Sequence, residues 1–464
     1  MKEVLYYEND REISWKKVLV LGLGKSGVNA AKLLKKLGAE VTVNDKNTPS
    51  DLTQVNELKN EGIEVITGSH PLELLENIDL MVKNPGIPYT NVLVSGAKDK
   101  GIKIITEPEL AFEISDARFV GVTGTNGKTT TTTMISLMLN QGKTEGKAYV
   151  AGNIGVPASQ VAQEATSKDT IVTELSSFQL LGITEYHPKV AVLTNIYEAH
   201  IDYHGTRENY VNAKMRIVMN QTEDDYFVVN WDNEEWQELS QRSKAKIVPF
   251  SRLGKSKDGA YVADGYLFYR EDKIMPVDDI KVPGTHNVEN ALAAIAVAKI
   301  FGKSNEDIKE VLTTFSGVRH RTQYITTLNG RKFYNDSKAT NMEATEKALA
   351  GFNNPVVLLA GGLDRGFTFE KLEPSLKNKV HAMIVFGETA DLMAKAGKEA
   401  GVEKIIKTKD AVSAVPEAYK VSNEGDVILL SPACASWDQW PTFEVRGDKF
   451  IEAVEKLAKE LEEK

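Results

Sequence analysis

Short apolar runs alternate with amphipathic stretches along most of this chain. Residues 17–21 (KVLVL) have the character of a buried strand, and Ala30, Leu33, Leu34 and Leu37 follow at the i, i+3, i+4, i+7 spacing of a helix face. Between them lies Gly22-Leu23-Gly24-Lys25-Ser26-Gly27, and a second short strand over 40–44 ends at Asp45. This predicts a βαβ opening around a G-x-G-x-x-G turn. Residues 62–67, 79–83 and 101–106 continue the alternation.

A second block opens with the apolar run 118–123 (RFVGVT), a glycine-rich turn and a predicted helix over 129–139, with Met134, Leu137 and Met138 placed on one face. Further strands are predicted at 170–174 and 190–195. Residues 258–278 read as short strands and turns, the pattern of an antiparallel insertion, and 290–301 as an Ala-rich helix. A third block starts near 317–321, with strands at 331–335, 356–360, 382–386 and 426–430 and a charged C-terminal helix. The expected fold class is α/β with mostly parallel sheets, in three domains over 1–107, 108–317 and 318–464.

Composition narrows the function. The chain has 464 residues, enough for roughly three domains at about 150 residues each. Lys and Arg total 56 against 65 Asp and Glu, a net charge of −9, which argues against a nucleic-acid partner. The single cysteine, Cys434, allows neither an intrachain disulfide nor a thiolate zinc cluster. The charged opening MKEVLYYENDREISWKK lacks the apolar core of a signal peptide. No apolar run approaches the roughly 20 residues of a membrane span, so a cytoplasmic protein without membrane insertion is expected.

Two glycine loops carry candidate chemistry. Gly22–Gly27 with Asp45 fits a dinucleotide site, a tight turn that binds nothing, or a helix N-terminus holding the diphosphate of another nucleotide. The loop Gly124-Thr125-Asn126-Gly127-Lys128-Thr129-Thr130 lies between a strand and a helix, as a phosphate loop must. Its backbone N–H groups would cradle phosphate oxygens, Lys128 would reach the β- and γ-phosphates, and the Thr129 hydroxyl would coordinate Mg²⁺. Val122 stands where a strict P-loop has its first glycine, making this a shortened variant. Glu174, at a strand's C-terminal end, and His200 with Asp202, just after another strand, are candidates to face the same crevice; His204 reads as a surface or supporting group.

GTNGKTT, ELSSFQL, NIYEAHIDYHG followed by YVNAKMRI, GTHNVENALAA and the pair His320-Arg321 occur in this order across the chain. The whole pattern resembles the Mur ligases, the ATP-dependent amide ligases of peptidoglycan synthesis. Two later motifs, YNDSKATN (334–341) and SPACASWDQ (431–439) with Phe443 and Arg446-Gly447, look like those of members that add D-glutamate to UDP-N-acetylmuramoyl-L-alanine.

The resemblance implies a Rossmann-like domain for the UDP-sugar, a P-loop ATPase-like central domain and a Rossmann-like domain for the amino acid. Lys25, Ser26, Asp45, Asn84 and Gly86 would then serve the UDP side and Asn153 the muramoyl side, with Ser176 a further substrate contact. Asn287 and Asn290 match adenine contacts, and Arg321 and Asp336 nucleotide-side contacts. Lys338 and Thr340 match groups near the transferred phosphate and the amino-acid carboxylates, and Ser436 and Phe443 the D-glutamate pocket, with Arg365 as a cationic partner. Thr129, Glu174 and His200 are implied ligands of two Mg²⁺ ions. Lys214 matches a lysine carbamylated in the family, an anion suited to a metal where an ammonium is not. Ala199 stands where the family often has Asp. The catalytic set implied is Lys128, Glu174, His200, Lys214 and Lys338, in a monomer with hinges near 107 and 317–321. A nicotinamide-dependent dehydrogenase would leave the second loop without a role, and a GTPase would need an Asn-Lys-x-Asp motif, which the chain lacks.

Overall fold

The computed structural model describes residues 15–49, 51–142 and 145–463; most of the charged opening segment lies outside the described residues. The chain divides into two compact units. One runs to Asp278 and takes in Val288–Val311; the other is made of Asp279–Asn287 and Leu312–Lys464.

The first unit holds two sheets. Strands β1 (Lys17–Leu21), β2 (Glu40–Asp45), β3 (Glu64–Thr67), β4 (Leu80–Lys83) and β5 (Lys103–Ile105) form a parallel sheet in the order β3-β2-β1-β4-β5. Val18 to Leu21 are all buried, as a central parallel strand covered on both faces requires. The helix Lys25–Lys36 buries Ala30, Ala31, Leu33 and Leu34 and ends on Lys35 and Lys36, which suit the negative end of its dipole. Truncating Leu33 to alanine would cost about 2–5 kcal/mol. The connections after β1 and β4 leave toward opposite edges, so the crevice at their C-terminal ends is a topological switch point.

The second sheet has nine strands: β6 (Arg118–Thr123), β7 (Ala148–Gly152), β8 (Thr170–Glu174), β9 (Val190–Leu193), β10 (Tyr226–Asn230), β11 (Lys246–Ser251), β12 (Ala260–Ala263), β13 (Tyr266–Tyr269) and β14 (Asp272–Pro276), in the order β14-β13-β12-β11-β10-β9-β6-β8-β7. β13 and β14 are antiparallel, as expected for 258–278. β12 pairs parallel with β11, however, so the segment extends the sheet at its edge rather than standing apart as an insertion. The helix Lys128–Leu139 forms in spite of five consecutive threonines, because tertiary burial overrides propensity: Thr129, Thr131 and Thr132 are buried, and Thr133 Oγ1 donates back to Thr129 O. Leu137 is corrected from the predicted core face to the surface, at 38% exposure. The buried stripe runs through Met134, Ile135 and Met138, and Leu137 falls about 60° to the far side of Met134.

The second unit is built on a six-stranded sheet: β15 (Gln323–Leu328), β16 (Arg331–Asn335), β17 (Val356–Gly361), β18 (Val380–Phe386), β19 (Lys404–Lys407) and β20 (Val427–Leu430), in the order β15-β16-β20-β17-β18-β19 with only β15–β16 antiparallel. The C-terminal helix Phe443–Glu462 is charged outward and buries Phe450 and Val454. Among the described residues, no helix is long and apolar enough to cross a membrane.

Candidate functional site

The turn 124–130 leaves β6 beside β9, at the second sheet's switch point, since β6 leads toward β7 at one edge and β9 toward β10 at the other. β9 stops at Leu193, short of the predicted Asn195, because Thr194 and Asn195 leave the sheet to brace this turn. Thr125 N–H donates to Asn195 O and Asn126 N–H to Asn195 Oδ1, both at 2.9 Å, and Thr194 Oγ1 donates to Asn126 O at 2.6 Å. Gly124 is required by space and conformation: its φ is +149°, and an added Cβ would lie 1.9 Å from Thr194 Oγ1. Asn290, from the helix Thr285–Ile300, abuts Gly127 and accepts from Thr131 Oγ1 at 3.3 Å.

Two lysine amines converge on one oxygen of this turn. Lys128 Nζ donates to Gly124 O and Thr125 O at 2.9 Å, and Lys214 Nζ donates to Gly124 O at 2.7 Å. Lys214 lies on the helix Arg207–Met215, started by its N-cap Thr206, and is 2% exposed. Burial, reinforced by the neighbouring Lys128 charge, holds its amine well below the usual lysine range, and Glu174 opposes the shift. Glu174 ends β8 and is buried. Its Oε1 accepts from Asn153 Nδ2 at 2.9 Å, while its Oε2 has no hydrogen-bond partner among the described residues. An orphaned buried carboxylate oxygen is costly unless something cationic meets it.

His200 keeps solvent access in a left-handed conformation (φ +55°). Desolvation, with Lys214 and Lys128 adding to it, lowers its pKa, so the imidazole is neutral at pH 7 and available as a donor atom. Phe178 sits 5.0 Å from its ring and 4.5 Å from that of Tyr203. His204 is buried rather than on the surface: its ring stacks on Phe178 and its Nε2 lies 3.0 Å from Ser177 Oγ. Among the described residues no three His, Cys, Asp or Glu side chains form a ready metal cluster. The donor set Thr129, Glu174 and His200 still suits Mg²⁺, which takes few protein ligands and keeps waters and phosphate oxygens.

The first glycine turn is braced differently. Asp45 Oδ2 accepts from Leu23 N–H at 2.9 Å and its Oδ1 from Asn47 N–H, so this carboxylate latches the turn. Asn84 fills the glycine spaces: a Cβ on Gly22 (φ +107°) would lie 2.7 Å from Asn84 Cβ. Lys25 Nζ donates to Gly155 O at 2.6 Å, and Ser26 is half-buried one residue further into the helix. Gly86 is exposed and edges a cavity of about 750 Å³ that also meets Tyr89, Asp202, His204 and Arg216.

In the second unit, Asp336 is buried, with Thr322 N–H donating to Oδ1 at 3.0 Å and Ser431 Oγ to Oδ2 at 2.8 Å. Burial wins over these bonds and pushes its pKa up to about 7. Arg446, fully buried, donates to Ser337 Oγ, Ser337 O and Cys434 O; burial brings its pKa down to about 10. Its Nη1 and the Ser436 hydroxyl lack partners among the described residues. Thr340, Arg365 and Cys434 line a cavity of about 250 Å³, and the Arg365 guanidinium lies 5.0 Å over the Trp437 ring. Lys338 Nζ is 5.3 Å from the Phe443 ring, and Phe443 O accepts from Ser337 Oγ. Arg321 is exposed in a segment where Gly317, His320 and Thr322 all have positive φ. Burial pushes the Cys434 thiol up to about 11, which leaves it a packing residue rather than a nucleophile.

Family models match the chain in three stretches: "Mur ligase MurD-like, N-terminal domain" over residues 16–106, "Mur ligase middle domain" over 122–298 and "Mur ligase, glutamate ligase domain" over 320–434. A protein of Ligilactobacillus salivarius named UDP-N-acetylmuramoylalanine--D-glutamate ligase is 98% identical over 97% of this chain and 98% of its own length. The chain belongs to the Mur ligase family. A Lactiplantibacillus plantarum protein of the same name is 62% identical over the full length of both chains. Two solved Mur ligases of Thermotoga maritima share the fold. One is a UDP-N-acetylmuramate-alanine ligase (TM-score 0.56, 19% identity, covering 95% of this chain and 99% of that one). The other is a MurF ligase in complex with ADP (0.54, 17%, 97% of each).

Within this Mur ligase the structure gathers Lys128, Lys214 and Glu174 around one turn, with Thr129 and Thr130 on the first turn of the helix that follows. Asn153, expected at the sugar, braces Glu174. Ser176 is engaged in a capping box with Gln179. Asn287 Nδ2 donates to Pro283 O in the second unit, whereas Asn290 belongs to the first. Thr194, Lys83 and Tyr203 were not singled out from sequence. Thr194 follows an apolar strand with no motif of its own, and Lys83 ends the run LMVK as if it were a solvated strand terminus.

Proposed function

We propose that this Mur ligase adds D-glutamate to UDP-N-acetylmuramoyl-L-alanine, with ATP converted to ADP and phosphate, in the cytoplasmic stage of peptidoglycan precursor synthesis. The observation that carries the reading is the convergence of Lys128 and Lys214 on Gly124 O beside the orphaned oxygen of Glu174, in a chain 98% identical to a ligase of that name.

Hydroxide is a poor leaving group, so the alanyl carboxylate must be activated. A carboxylate oxygen attacks the γ-phosphorus of ATP and the bond to the β–γ bridging oxygen breaks, leaving ADP and an acyl phosphate. The amine of D-glutamate attacks the acyl carbon, loses a proton, and inorganic phosphate departs from the tetrahedral intermediate. Phosphoryl transfer needs chiefly positioning and charge neutralisation. Lys128 supplies positive charge where the turn's N–H groups hold the phosphates, and Asn287 and Asn290 would serve the adenine side. Thr129, Glu174, His200 and carbamylated Lys214 would hold two Mg²⁺ ions, which supply Lewis-acid neutralisation of the phosphate charge. The low pKa of Lys214 favours the neutral amine that combines with CO₂.

The domains 1–107, 108–317 and 318–464 would take the UDP-sugar, ATP and amino acid respectively, with Lys338, Thr340, Arg365, Ser436 and Phe443 around the D-glutamate carboxylates. Arg321 and Asp336 would serve the nucleotide, and the working form would be a monomer. A phosphate-release assay with UDP-N-acetylmuramoyl-L-alanine and ATP, challenged separately with D-glutamate, L-glutamate and lysine, tests the reading. Release stimulated by D-glutamate alone is expected; equal stimulation by L-glutamate or lysine would overturn it.

A further inference from the structure

The most unusual buried charge in the first unit is Lys83. It ends β4 in register with Leu21 of β1 and has no exposed surface. Among the described residues its ammonium meets no carboxylate. Instead it donates to three carbonyls of the loop that follows, Asn84 O at 3.2 Å, Pro85 O at 3.1 Å and Ile87 O at 2.7 Å. Tyr203 reaches the same place from the other sheet's side: its hydroxyl lies 3.2 Å from Pro85 O and 3.0 Å from Ile87 O, and 3.4 Å from the Lys83 amine. Burial draws the Lys83 pKa down to about 8, which leaves the amine mostly charged at neutral pH. A buried cation is retained at such cost only where its hydrogen bonds are needed.

Both ends of this joint lead to chemistry. With its carbonyls gathered inward, the loop presents Gly86 outward and wedges Asn84 under the first glycine turn. Tyr203 packs edge-on against Phe178, the ring that also flanks His200. We propose that Lys83 and Tyr203 are positioning residues that fasten the 84–87 loop to the His200 turn, so that the seating of the sugar nucleotide and the placement of His200 are set together. The proposal rests on the reading that the 84–87 loop faces the sugar nucleotide.

The test uses the full-length protein with Tyr203→Phe, which removes one oxygen and keeps the ring on Phe178, with Lys83→Met, and with the double variant. In steady-state phosphate release, Tyr203→Phe should raise KM for UDP-N-acetylmuramoyl-L-alanine about tenfold, the scale of a lost buried hydrogen bond, and should lower kcat as well, because the His200 turn is released together with the loop. The double variant should cost much less than the product of the single effects, because either change alone opens the joint. Hydrogen exchange without ligand should show faster exchange at the amides of Gly86 and Ile87 in Tyr203→Phe. Unchanged exchange there, or a KM rise for the sugar nucleotide with kcat untouched, would overturn the joint. If Lys83→Met fails to fold, Tyr203→Phe decides alone. If the wild-type protein shows no stimulation by the sugar nucleotide, the functional reading fails and the exchange measurement still judges the joint.

Discussion

The first unit contains the same backbone device twice: a parallel strand, a glycine turn at a switch point, and a helix whose N-terminus points at the crevice. The turn after β1 is latched by a carboxylate, Asp45, and wedged by the side chain of Asn84. The turn after β6 is braced by the neutral Thr194 and Asn195, and its Gly124 carbonyl gathers two lysine amines. Backbone N–H groups at a helix start favour any phosphate. What separates the turns is the charge set around them. An acid at the first is tolerable for a ligand that offers hydroxyls beside a diphosphate, whereas the dense charge of a triphosphate calls for the Lys128 cation at the second.

The sharpest way to break this comparison is Lys128→Met. Removing a positioned charge at the transferring phosphate should cut kcat by ~10²–10³-fold or more while direct titration finds UDP-sugar affinity unchanged. A parallel loss of both would mean that the two turns do not divide the ligands. Next is Lys214→Arg, which cannot form the carbamate; a loss of ~10²-fold in kcat is expected. The accompanying sign is that ¹³C-bicarbonate labelling of Lys214, read by NMR, should grow with pH, because carbamate forms only from the deprotonated amine. An unlabelled Lys214 in an active protein would remove the carbamate from the account.

Gly124→Ala and Gly22→Ala compare the turns by stability. Both glycines have positive φ, but the added carbon meets Thr194 Oγ1 at 1.9 Å in the first case and Asn84 Cβ at 2.7 Å in the second. Each should lower the denaturation midpoint by the equivalent of ~1–3 kcal/mol, with Gly124→Ala the worse. Asp45→Asn should be mildest. It keeps an acceptor for Leu23 N–H and removes the charge, so a loss of about 1 kcal/mol and a KM change confined to the sugar nucleotide are expected.

Much of the fold was legible because local pattern and tertiary role coincide. The run KVLVL with Ala30, Leu33 and Leu34 behind it could bury itself only as a central strand under a helix. The phosphate loop was legible for a similar reason, since its glycines, lysine and threonines are consecutive. Leu137 was misplaced because a helix in a crowded interior buries a stripe set by its neighbours, here Met134, Ile135 and Met138. His204 was placed between surface and support, and only the stacking on Phe178 puts it inside.

Residue order alone determined the alternation of strands and helices, the two glycine turns and the set of chemical groups available, because each depends on neighbours within a few positions. Which groups meet was decided by the tertiary structure. Asn290 reaches Gly127 across more than a hundred residues, Lys214 arrives at Gly124 from a separate helix, and Lys83 is enclosed by carbonyls that exist as a cluster only once the loop folds over it. Charges and hydrogen bonds act over a few ångströms of space, and distance along the chain does not measure that.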